Sequence, residues 1–103
     1  MDKPFEVKIK SEQDQVTLKF SGNLVINYIE DIVKEVKESI DLSKPVHVDI
    51  ANPENIDLTF IQLILSVQKT CINKNIGFTV SAKLKDDMKL LLTNAGFKSI
   101  ISN

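Results

Sequence analysis

The chain has 103 residues, 43% of them hydrophobic and 26% charged, with 13 basic and 14 acidic side chains and a formal net charge of -1. That is the make-up of one globular domain spanning 1–103, long enough to bury a core without staples. It speaks against a nucleic-acid binder, which needs clustered Lys and Arg, and against direct membrane insertion, which needs about 18 unbroken apolar residues.

The single Cys71 cannot form an internal disulfide, and with the single His47 it cannot build a zinc site of the usual ligands. The opening Met1-Asp2-Lys3-Pro4 carries no apolar signal region, so a cytoplasmic location is expected.

Phe5, Val7 and Ile9 alternate with Glu6, Lys8 and Lys10, the pattern of a half-buried strand. Val16, Leu18 and Phe20 repeat it after the polar segment Ser11–Gln15, which predicts a hairpin. Gly22-Asn23-Leu24 is expected to turn the chain. Asn27 and Glu30 resemble a capping box. The helix after them aligns Ile29, Ile32, Val33, Val36 and Ile40 on one face and charges on the other. Val46, Val48 and Ile50 predict a third strand with His47 and Asp49 on its opposite face.

The loop Ala51–Ile56 leads to a long helix predicted over 58–75. At 100° per residue its apolar arc holds Phe60, Ile61, Leu63, Ile64, Leu65, Val67, Cys71 and Ile72. That arc is wider than an ordinary surface helix needs, so the helix is mostly buried or keeps part of the arc for a partner. Thr59 falls on the narrow polar arc with Gln62, Ser66, Lys69, Thr70 and Asn73, and Asp57 is a favoured N-cap.

Phe78 and Val80 predict a fourth strand. Leu84, Met88, Leu91, Leu92 and Ala95 predict a last helix stopped by Gly96, with an apolar tail of Phe97, Ile100 and Ile101. The order β-β-α-β-α-β-α predicts an α/β fold with a mixed sheet of four or five strands and helices mainly on one face.

The glycines are scattered, and His47 and Cys71 sit on different elements, so neither a phosphate loop nor a nucleophile–base pair is in view. No enzyme and no cofactor are expected. A small-ligand sensor would need convergent polar groups that the sequence does not supply.

Taken together the pieces resemble the STAS domain, the family of sulfate transporters and anti-sigma-factor antagonists. Gly22-Asn23-Leu24 is similar to the family's Gly-Glu-Leu-Asp turn, Val46–Ile50 to its aspartate-ending strand, and Leu92–Phe97 to its leucine-rich last helix. Asp57-Leu58-Thr59-Phe60 is similar to the Asp-Ser-Ser/Thr-Gly signature at the mouth of the second helix. The resemblance implies a non-catalytic regulatory module in a partner-switching pathway. A histidine-kinase-like ATPase acting as a serine/threonine kinase would phosphorylate Thr59, and a phosphatase would reverse it.

Leu58 replaces the signature's first hydroxyl. Phe60 stands at its glycine, where it would crowd a docking kinase, and Val25 stands at the carboxylate of the Gly-Glu-Leu-Asp turn. These departures keep a second reading open, a constitutive adaptor subunit of a signalling or transport complex. The expected partner surface comprises Gly22, Asn23, Leu24, Asn52, Pro53, Glu54, Asp57, Leu58, Phe60 and Gln62. Glu54 and Asp57, with Asp49 as a candidate third, are expected to give it an acidic surround.

Overall fold

The computed structural model describes residues 3–94. The expected stop at Gly96 and the apolar tail Phe97, Ile100 and Ile101 lie outside the described residues. Two strands, β1 (Phe5–Ser11) and β2 (Val16–Leu24), form the predicted hairpin, in antiparallel register from Phe5 opposite Gly22 to Ser11 opposite Val16. The chain then makes a short 3-10 turn, Ile26–Tyr28, and enters α1 (Ile29–Ser39). It continues through β3 (Val46–Ala51), β4 (Asn55–Ile56), α2 (Leu58–Asn73), β5 (Phe78–Lys83) and α3 (Asp86–Asn94).

The described strands form one mixed five-stranded sheet in the order β1-β2-β3-β5, with β4 pairing the far end of β2. β3 runs parallel to β2, with Leu18 opposite Val48, and β5 runs parallel to β3, with Val48 opposite Val80. Alternation decides the layers. Val16, Leu18 and Phe20 on β2 and Val46, Val48 and Ile50 on β3 are buried on one face. They meet Ile32 and Val36 of α1 and Phe60, Ile61, Ile64, Val67 and Cys71 of α2, and Leu84 and Met88 join the same cluster.

The opposite face presents Lys8, Lys19, Asp49 and Ser81 in one row and Lys10, Thr17, His47 and Thr79 in the next. The result is the two-layer form expected when strands alternate apolar and polar residues and only one face is covered.

Four local expectations change. Gly22–Leu24 does not turn the chain: these residues are the last three of β2. Gly22 has φ +85°, and a Cβ there would sit 2.7 Å from the Pro4 carbonyl oxygen, so glycine lets the strand pass close to β1 and continue. The Asn27–Glu30 capping box does not form; α1 starts from Tyr28 with no side-chain cap. The loop after β3 contains β4: Asn55 and Ile56 run parallel to Asn23 and Leu24 on the overhang of β2, whose Gly22 and Leu24 carbonyls accept the Glu54 and Asp57 amides. Finally, α2 ends at Asn73 and leaves Ile72 64% exposed, although Ile72 belongs to the apolar arc. Asn75 takes a left-handed φ of 58° just beyond the helix, a conformation that asparagine tolerates.

Candidate functional site

The loop from β3 to α2 is tied to the overhang of β2 by backbone and side chain. The Glu54 amide donates to the Gly22 carbonyl at 2.8 Å and the Asp57 amide to the Leu24 carbonyl at 3.2 Å. Asn55 Nδ2 donates to Asn23 Oδ1 at 2.7 Å, and the Asn23 amide and side chain both donate to the Pro4 carbonyl. Asn52, at a left-handed φ of 48°, starts the loop and donates its amide to the Lys83 carbonyl at 2.9 Å. The expected adjacency of 22–24 and 52–59 is therefore a direct strand pairing.

Asp57 sits where these segments meet. Its backbone is extended, as an N-cap requires, and Oδ1 accepts the Thr59 amide at 3.0 Å and also the Thr59 hydroxyl. Oδ2 accepts the Ile26 amide at 2.8 Å. One carboxylate thus serves both α2 and the 3-10 turn that leads into α1. Partial burial pulls its pKa upward. The bonds from the Thr59 hydroxyl and from the Ile26, Thr59 and Phe60 amides outweigh that and hold it below the ordinary aspartate value.

Thr59 is on the outer arc of α2, as predicted, yet half-buried because its hydroxyl folds back onto Asp57. Beside it an open depression is lined by Ile26, Ile29, Glu30, Asp31, Thr59 and Gln62. The acidic neighbours of Thr59 therefore come from Asp57 and from α1. Asp49 is not among them: it alternates with the buried Val48 and Ile50 and belongs to the polar sheet face beside His47. Glu54 is exposed on the loop.

Of the expected partner surface, Asn52, Glu54, Leu58 and Gln62 are exposed, and Gly22, Asn23 and Asp57 are half-buried. Three residues are corrected. Leu24, Pro53 and Phe60 are buried, so they support the surface and present nothing to a partner. Phe60 packs edge-on against Phe20 with ring centroids 5.0 Å apart, so it cannot crowd a docking kinase either.

Ile26 is the residue missed by the sequence reading. It is 63% exposed at the lip of the depression, close in chain to Val25, and Leu58 at the mouth of α2 is 43% exposed. By spacing alone Ile26, three residues before Ile29, would continue the apolar stripe of α1, yet it stands out from it. Nothing in the periodicity marks it as exposed, because its amide partner Asp57 is 31 residues away.

Away from this site, His47 Nδ1 lies 2.7 Å from Thr79 Oγ1 and Nε2 lies 3.2 Å from Ser81 Oγ, a strand-surface histidine satisfied by hydroxyls. Cys71 is buried, and burial pushes its thiol pKa up, which keeps it protonated and unreactive. Among the described residues no helix is long and apolar enough to cross a membrane.

No family model matches the sequence, and no curated protein is significantly similar to it. Among solved structures, the chain is similar to the crystal structure of an antisigma-factor antagonist, a STAS domain from Rhodobacter sphaeroides. The match has a TM-score of 0.59 and 14% identity, and covers 74% of this chain and 84% of that one. The fold is that of a STAS domain. At this identity the likeness lies in the arrangement of strands and helices, so the roles of individual side chains rest on the geometry above.

Proposed function

We propose that this STAS fold is a non-catalytic regulatory module that binds a protein partner through the β2–α1 and β3–α2 loops, under the control of phosphorylation at Thr59. One observation carries the proposal: a half-exposed hydroxyl at a helix mouth, oriented by the N-cap carboxylate and bordered by exposed apolar and acidic side chains. The antisigma-factor antagonist with the same fold supports a regulatory class.

A kinase would bring ATP to the site. Thr59 Oγ1 attacks the γ-phosphorus, the bond between it and the β-phosphate oxygen breaks with ADP leaving, and the hydroxyl proton passes to a base of the kinase. A phosphatase returns the hydroxyl by hydrolysis. The added group carries about -1.5 to -2 charges at neutral pH. The dipole of α2 favours it, while Asp57, Glu30 and Asp31 oppose it. The fold accommodates that balance, but a docked apolar or acidic partner does not.

Pull-down from the native host followed by mass spectrometry tests this. Thr59→Ala should retain the partner and Thr59→Glu should reduce its capture at least tenfold by the usual reach of charge repulsion at a desolvated interface. Equal capture by both variants defeats the switch. Recovery of a histidine-kinase-like ATPase supports the pathway assignment.

The prior engagement of the Thr59 hydroxyl by Asp57 favours a second reading, a constitutive adaptor without phosphorylation. Intact mass measurement of the native protein separates the two, because a species heavier by one phosphate rules the adaptor out.

A further inference from the structure

The two oxygens of Asp57 face different parts of the chain. Oδ1 takes the hydroxyl and amide of Thr59; Oδ2 takes the amide of Ile26, whose side chain is among the most exposed large apolar groups of the described residues. We infer that Asp57 is a relay: phosphorylation of the Thr59 hydroxyl releases the Ile26 amide and so loosens the apolar lip that a partner would grip. This deepens the reading of Thr59 as the phosphoacceptor and rests on it.

The chemistry is direct. An esterified threonine oxygen has no proton to donate, so the bond to Oδ1 is lost and two oxygens with lone pairs are left facing each other. The new phosphate also places negative charge against a carboxylate already fixed by amide donors. To escape that repulsion the carboxylate rotates about its own side-chain bonds, giving up the Thr59 and Phe60 amides as well, and Oδ2 leaves Ile26 in the same turn. Val25 and Tyr28 remain tied by the 2.9 Å bond from the Tyr28 amide to the Val25 carbonyl, so the 3-10 turn persists while its anchor to α2 is lost. Ile26, no longer held by Asp57, then moves independently of the mouth of α2, where Leu58 is exposed. The switch acts on the shape of the apolar contact as well as on its charge.

The test needs no partner and uses the full chain. The amide proton of Ile26 is followed by NMR, in chemical shift and in hydrogen exchange, for the unmodified protein, for protein carrying phosphothreonine at 59, and for Thr59→Val and Asp57→Ala. Asp57→Ala sets the free position of the Ile26 amide.

The relay predicts that the phosphorylated chain moves to that position, with exchange at Ile26 at least tenfold faster while the amides of β2 and β3 are unchanged. Thr59→Val, which removes the hydroxyl without adding charge, should lie between the two. An Ile26 amide that stays at its unmodified position in the phosphorylated chain overturns the relay, as does an Asp57→Ala variant that fails to move it. Failure of phosphorylation in the cell would defeat the proposed function and leave this measurement standing, so the two are distinguishable.

Discussion

At the scale of single residues, Asp57 concentrates the energetics of the site. An aspartate N-cap contributes about 1 kcal/mol, and this one also holds the Ile26 amide of a second element. Asp57→Ala is expected to cost about 2 kcal/mol in urea unfolding, with charge-assisted bonds at the upper end of the range for single hydrogen bonds. The sign of its pH dependence follows from the depressed folded-state pKa. The stabilisation is fully present above the ordinary aspartate pKa of about 3.9 and is lost as pH falls through the lower folded value. The stability gap between the native chain and Asp57→Ala should therefore close on acidification below about pH 4, and a gap independent of pH from 6 to 2 would contradict the assignment. The capping role of Asp57 was legible in the sequence, because an acceptor next to a periodic apolar run is a local signal. Its second bond was not, since nothing local joins positions 26 and 57.

At the scale of elements, the same division recurs. The hairpin and β3 follow from alternation, and both were legible. β4 and the overhang of β2 were not, since a two-residue strand has no periodicity and forms only where the overhang offers it partners, the Gly22 and Leu24 carbonyls accepting from the Glu54 and Asp57 amides. Gly22 was read as a turn, yet its role is to let one strand approach another. Gly22→Ala places a methyl against the Pro4 carbonyl in a left-handed backbone. It should cost roughly 1–3 kcal/mol, the usual range for a strained position, measured by thermal unfolding. Because Glu54 donates to the Gly22 carbonyl, the loop that carries the site should lose amide protection with it. A Gly22→Ala chain of native stability would show that the close approach is not needed. Phe60 gives the converse lesson: a large side chain in a motif position looked obstructive, and the structure turns it into the core against Phe20.

At the scale of the whole molecule, one face of the sheet supplies stability and the other does not. Ile50 is fully buried against the helices, and Ile50→Ala should cost about 2–5 kcal/mol. His47, on the same strand but the opposite face, touches only the hydroxyls of Thr79 and Ser81. His47→Ala should stay within about 0.5 kcal/mol, since water replaces those bonds. Denaturation midpoints of the two variants check both, and similar losses would mean that the polar face is covered after all.

Placing the helices on one side was legible from the polar alternation of all four longer strands. The meeting of the two loops at the candidate site was suggested only by resemblance, because the fold, and not the local sequence, brings Thr59 to Ile26. The one-sided design also has a cost at the rim. Within the described residues β1 pairs only with β2, so its outer backbone row is a template on which another chain could extend the sheet. Glu6, Lys8 and Lys10 occupy every second position of that strand, and an incoming strand would have to bury or match them. The charges that look idle on an uncovered face thus disfavour extension of the sheet from this edge.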